Sequence, residues 1–121
     1  MSVHVLLPFH LNQDADRDLQ FAAGLSSSAR QAMALRWIRR GLDLYREQGW
    51  GAYGAARLDD KVRTMLLPLT AQESAVIDEI RAIAEGGDDL QAVLHSLLWN
   101  GSLFDYTPKM SEDELMAFAA E

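Results

Sequence analysis

The chain has 121 residues, 49% of them hydrophobic, no cysteine and a formal net charge of −7. That length supports one core rather than two independent ones, the missing cysteine removes disulfides and thiolate chemistry, and three scattered histidines (His4, His10, His95) argue against a structural zinc site. No apolar run approaches the ~20 residues that cross a bilayer and Met1-Ser2-Val3-His4 lacks the basic start of a signal peptide, so a single soluble, cytoplasmic domain over 1–121 with no cofactor and no membrane contact is expected.

Residues 2–9, SVHVLLPF, are apolar and β-branched and stop at a proline, which donates nothing to a ladder but is accepted at a strand end. A short strand is expected. Asn12-Gln13-Asp14 offers a cap, and Asp16 to Ala23 reads as a short helix with Leu19, Ala22 and Ala23 inward, ended by Gly24. Leu25-Ser26-Ser27-Ser28 opens the longest helix, from about Ala29 to Gln48. Leu35, Ile38, Leu42 and Tyr45 recur there at spacings of three and four, one buried stripe that Met33, Trp37, Gly41 and Leu44 widen. The opposite side carries Arg36, Arg39, Arg40, Asp43, Arg46 and Glu47, with Arg39 and Asp43 at i,i+4. It is either a solvated, partly paired face or a phosphate-contacting one. Residues 49–60, with Trp50 and Tyr53, show no period and read as a connector.

Lys61 to Leu67 alternates weakly and ends at Pro68, so it reads as the partner strand. Thr70-Ala71-Gln72-Glu73 fits a capping box, followed by Val76, Ile77, Ile80, Ile83 and Ala84 at helical spacing and the stop Gly86-Gly87. Asp88-Asp89 caps another helix through about Trp99, buried by Leu90, Val93, Leu94, Leu97 and Leu98; Asn100-Gly101 is expected to end it. In the tail, Ser111 and Glu114 have capping-box spacing ahead of Leu115, Met116 and Phe118. This predicts a short acidic amphipathic helix that either docks on the domain or is held for a protein partner.

Val5-Leu6-Leu7-Pro8 and Met65-Leu66-Leu67-Pro68 lie sixty residues apart, and repeats at such a spacing change the fold reading. With one extra residue in the second copy, Leu19 falls on Ile80, Ala32-Met33 on Val93-Leu94, Leu42 on Leu103 and Tyr45 on Tyr106. The pattern reads as a diverged tandem duplication, with repeat 1 over 2–48, connector 49–60, repeat 2 over 61–106 and an acidic tail over 107–121. The alternative is a leucine-rich chain that offers LLP twice by chance.

Catalytic motifs are missing: there is no G-x-S-x-G, no phosphate-cradling glycine loop and no H-x-x-x-H pair. Asp88-Asp89 and Glu112-Asp113-Glu114 sit where helix starts favour negative charge. No enzyme is expected. Residues 1–60 carry seven Lys/Arg and seven Asp/Glu, whereas 61–121 carry four against eleven, so any contact with nucleic acid belongs to the first half or to local patches.

A strand, a helix, a glycine turn and a second helix cannot bury their apolar sides alone and need another copy. In this order VLLPFHL, Asp16 to Ala23, GLSSS and Arg30 to Tyr45, then MLLPLTAQE, Val76 to Glu85, GGDD and Leu90 to Trp99, resemble two units of the ribbon-helix-helix family. The resemblance implies a mainly α fold with a short two-stranded antiparallel ribbon, a single-chain pseudo-dimer, plus a short C-terminal helix. It also implies a DNA-binding regulator or a plasmid or phage accessory factor, with the ribbon in the major groove of double-stranded DNA and the amides opening each second helix on a phosphate. Side chains two, four and six before each proline would face the groove: Leu6, His4 and Ser2, then Leu66, Thr64 and Val62. The family usually places polar groups there to read base edges; only Ser2, His4 and Thr64 can do so here. The phosphate turn would be Ser26, Ser27 and Ser28 in the first copy, whereas Gly87-Asp88-Asp89 sets carboxylates against phosphate in the second. Basic contacts would come from Arg30, Arg36, Arg39, Arg40, Lys61 and Arg63. The alternative is a small acidic inhibitor, antitoxin-like or a phage anti-defence protein, that acts on another protein through its acidic second half and through Leu115, Met116 and Phe118.

Overall fold

The computed structural model describes residues 4–49, 60–83, 89–103 and 105. They form β1 (His4–Asn12), α1 (Gln13–Ala23), α2 (Ser27–Gln48), β2 (Lys61–Thr70), α3 (Ala71–Ile83) and α4 (Leu90–Ser102). The described residues are therefore mostly helical, with four helices and one two-stranded antiparallel sheet. No helix among the described residues is long and apolar enough to cross a membrane. Ser2, Trp50, Tyr53, Ala84, Gly86-Gly87, Asp88 and the tail with Leu115, Met116 and Phe118 lie outside the described residues.

Both strands continue past the prolines expected to end them. Pro8 lies opposite Leu66, Pro68 lies opposite Leu6, and Leu7 pairs with Leu67 between them. In a ribbon of two strands each strand has one open side, and a proline whose missing N–H would have pointed there removes no ladder bond. Alternation sorts the side chains. Phe9, Leu11, Leu67 and Leu69 turn inward and are fully buried, while His4, Leu6, Pro8, Thr64 and Leu66 are exposed on the other face.

Local chemistry starts and stops the helices. Asn12 Oδ1 accepts from the Ala15 N–H at 2.8 Å, so α1 starts at Gln13 rather than at Asp16, and Gly24 closes it at φ 84°. Ser26 Oγ accepts from the Ala29 N–H at 3.3 Å, and α2 begins at once with Ser27. At α3 the capping box is complete: the Thr70 N–H donates to Glu73 Oε1 at 2.9 Å and the Glu73 N–H donates to Thr70 Oγ1 at 3.1 Å. Each satisfies an amide that the first helical turn leaves without a partner. Asp89 Oδ1 accepts from the Gln91 N–H at 2.8 Å and opens α4.

The core lies between the ribbon's inner face and the helices. It joins Phe9, Leu11, Leu67 and Leu69 to Leu19, Ile38, Leu42, Ile77, Ile80, Leu94 and Leu97, all fully buried. Each such side chain contributes about 1.5–3 kcal/mol. Ile83, at the end of α3, was expected inward but is 58% exposed.

At the centre, α2 and α4 cross at two glycines. A Cβ on Gly41 would run into the carbonyl of Leu97, and one on Gly101 into the carbonyl of Trp37. Gly101 therefore does not break α4, which runs on to Ser102; it lets two backbones approach where no side chain fits. Gly41 and Gly101 are sixty residues apart, as are Trp37 and Leu97. The extra residue expected in the second copy is not needed at this crossing.

Candidate interface on the outer face of the ribbon

The outer face reads as four cross-strand pairs in order: His4 with Thr70, Leu6 with Pro68, Pro8 with Leu66, and His10 with Thr64. Each end of the strip is a histidine beside a threonine, and the middle is leucine beside proline, twice. His10 Nδ1 and Thr64 Oγ1 are 3.0 Å apart. Leu6 is 58% exposed, Leu66 50% and Val62 50%, so the strip presents large apolar side chains between small polar ends. Thr70 also caps α3, which leaves its hydroxyl committed.

The ribbon's open sides are covered by glutamines. Gln31 of α2 donates its side-chain N–H to the Leu66 carbonyl. Gln91 of α4 donates Nε2–H to the Pro8 carbonyl at 2.8 Å and accepts the His10 N–H on Oε1 at 2.8 Å. These bonds satisfy backbone groups that would otherwise invite another strand. Neither glutamine stands out by residue type, but they too are sixty residues apart, and the repeat spacing was the signal that could have found them.

Most of the arginines expected on an outward basic face are tied down within the fold. Arg30 is 4% exposed, which corrects its expected place on the surface. It donates to Ser27 Oγ at 3.4 Å and lies 3.9 Å from Asp16. Asp16 is itself buried and also accepts from Arg63 Nε at 3.0 Å and from Gln20 Nε2 at 2.9 Å. Arg36 forks onto Asp105 at 2.9 and 3.0 Å, and Trp37 Nε1 donates to the same carboxylate at 2.9 Å. Arg39 pairs with Glu73 at 2.9 Å rather than with Asp43, whose ion-pair partner is Arg46. Arg40 donates to the Gly101 carbonyl at 2.8 Å. The periodicity placed Arg36, Arg39 and Arg40 on the polar side of α2, but α3 and the end of α4 pack there, and their acceptors lie 34 to 69 residues away.

What remains at the surface is Lys61, exposed at the start of β2, the part of Arg63 that its pair with Asp16 leaves in solvent (43%), and Ser27 and Ser28 in the first turn of α2. His4 and Thr64 lie on the outer face as the spacing predicts. Ser26 caps its helix, so its hydroxyl is already engaged.

Burial alone would raise the Glu73 carboxyl, but the Thr70 N–H and the Arg39 guanidinium outweigh it and hold the group below its ordinary value. A groove lined by Phe21, Met33 and Trp37 runs beside Asp105 and Ser102. Its Ser102 hydroxyl donates to the Trp99 carbonyl at 2.8 Å. Among the described residues, no group of three or more His, Cys, Asp or Glu is placed to hold a metal ion. Comparison of the chain with protein-family models, with curated proteins and with solved structures finds no match.

Proposed function

We propose that the chain is a tandem ribbon-helix-helix pseudo-dimer and binds duplex DNA, as a regulator or a plasmid or phage accessory factor, with the ribbon's outer face in the major groove. The observation that carries this reading is the pairing of Leu7 with Leu67. Under a sixty-residue repeat these are one position in two copies, so a two-fold axis between them exchanges the strands. The same operation exchanges the Gly41 contact at Leu97 with the Gly101 contact at Trp37, and it exchanges Gln31 with Gln91. A two-fold strip suits two half-sites of a near-palindromic duplex.

On this reading His4, His10 and Thr64 supply the hydrogen bonds to base edges, and Leu6 and Leu66 lie against thymine methyls. Ser27, Ser28 and the amides opening α2 hold a phosphate, joined by Lys61 and the exposed part of Arg63. Asp89 at the start of α4 repels one, so the two half-sites are held unequally. With about two phosphates neutralised, by Lys61 and Arg63, log K should fall with log salt at a slope of about −1.8.

A fluorescence-anisotropy titration of random-sequence duplex across a salt series tests this. Binding at low salt with that shallow slope, weakened by Lys61→Ala, supports the reading; no binding at low salt overturns it.

A protein partner is the second reading, favoured by the exposed Leu6, Val62 and Leu66 at the middle and end of the strip and by the engagement of Arg30, Arg36, Arg39 and Arg40 inside the fold. An acidic inhibitor of that kind would pass through heparin without retention and bind an anion exchanger tightly.

A further inference from the structure

His95 is 7% exposed, and both of its ring nitrogens have partners. Nδ1 lies 2.8 Å from the Gln91 carbonyl, one turn earlier in α4, and Nε2 lies 3.3 Å from the Asn12 backbone N–H. A carbonyl only accepts and an amide N–H only donates. The ring is therefore neutral, with its proton on Nδ1 and an acceptor lone pair on Nε2. The Phe9 ring meets it edge-on, with centroids 4.8 Å apart.

The partners of this ring matter as much as its burial. Asn12 is the last residue of β1 and the cap of α1. Gln91, which takes the Nδ1 proton on its carbonyl, holds β1 through its side chain at Pro8 and His10. One imidazole thus joins the first turn of α4 to the junction of β1 and α1. Burial disfavours its cation and outweighs the rest; the Gln91 carbonyl at Nδ1 and Asp89, at the start of α4, favour the cation, and His10, from β1, opposes it. Among the described residues, α2 and α3, which also pack on α4, add no charged group to that balance.

We propose that His95 is an acid-operated latch: protonation of Nε2 turns the acceptor facing the Asn12 N–H into a second donor and releases α4 from the β1–α1 junction. The latch does not depend on what the ribbon binds. Its sign follows from burial, which holds the folded-state group below its ordinary 6.5. An unfolded chain takes up the proton first, so the latch stabilises the fold fully above pH 6.5. That contribution is lost as pH falls from 6.5 toward the folded value.

The test is an NMR titration of the histidine Cε1–H signals and the Asn12 amide in the full chain, alongside urea unfolding at pH 7.5 and 5.5. We expect a His95 midpoint below 6.5, an Asn12 amide shift that tracks it, and a fall in the folded-to-unfolded ratio of up to about tenfold between the two pH values, the lower of which lies one unit beneath 6.5. His95→Gln, which keeps a side-chain acceptor but cannot titrate, should remove this fall, and His10→Gln should not. A midpoint at or above 6.5, or the same pH dependence in His95→Gln as in the native chain, overturns the proposal. If His95→Gln does not fold, the titration of the native chain decides alone.

Discussion

Gln31 and Gln91 each tie a long helix to an open side of the ribbon, but the residue one turn later differs: Leu35 in the first half, His95 in the second. Both are buried. Leu35 contributes by removal from water, about 1.5–3 kcal/mol at any pH. His95 contributes through satisfied hydrogen bonds, about 0.5–1.5 kcal/mol each, and the one from the Asn12 N–H only while the ring is neutral. Two buried positions sixty residues apart are therefore held by different physics, and the difference gathers at one end of the ribbon. There buried Asp16 and Arg30 also form an ionic cluster with the exposed Arg63, while the crossing at Gly41 and Gly101 stays alike in both halves.

The largest expected effect comes from breaking what the halves share. Gly41→Ala and Gly101→Ala each drive a methyl into a backbone carbonyl, which a rotamer change cannot relieve, so each should cost about 3 kcal/mol or more, read by urea unfolding. The two costs should be similar. A native-like midpoint in either variant would mean that the helices do not cross this closely.

Much of the frame was legible because its causes are local. The Thr70–Glu73 box, the Asn12 and Ser26 caps and the α2 stripe all follow from residues a few positions apart, and the two LLP segments were legible from their likeness at a spacing of sixty. The misses are nonlocal. Pro8 and Pro68 looked like strand ends because nothing nearby says that their open sides face away from the ladder. Gly101 looked like a helix breaker because Trp37, which needs the space, is sixty-four positions earlier. Arg36 and Arg39 looked solvated because Asp105 and Glu73 are far along the chain. At the candidate interface the outward residues His4, Leu6, Thr64 and Leu66 were legible from alternation, whereas the roles of Gln31, Gln91 and His95 depend on which strand lies against each helix.

A middle-sized effect sharpens the contrast between the first helices of the two halves. α1 is capped by Asn12, which does not titrate, and α3 by the Thr70–Glu73 box, which does. Because the Glu73 carboxyl is held below its ordinary 4.5, its contribution is present above that pH and is lost as pH falls through the folded value. Glu73→Gln should cost about 1 kcal/mol at pH 7 and should flatten the loss of stability between pH 5 and 3. An unchanged acid limb in the variant would remove Glu73 from the account of α3.

The smallest effect tests whether the two open sides of the ribbon are held equally. Gln91 makes two side-chain bonds to β1, accepting from His10 and donating to Pro8, whereas Gln31 makes one, to Leu66 on β2. Gln91→Ala leaves a strand N–H and a strand carbonyl to find water; Gln31→Ala leaves only a carbonyl. At about 0.5 kcal/mol per bond, the low end of the range that suits bonds near solvent, Gln91→Ala should destabilise by about 0.5 kcal/mol more, and the excess should shrink once acid has already released His95. That link exists because the backbone carbonyl of Gln91 receives the His95 proton, so a change at its side chain alters the turn that positions the ring. Equal costs at both glutamines at neutral pH would mean that water replaces the second bond without loss. The asymmetry of the ribbon would then lie in His95 and the Asp16 cluster alone.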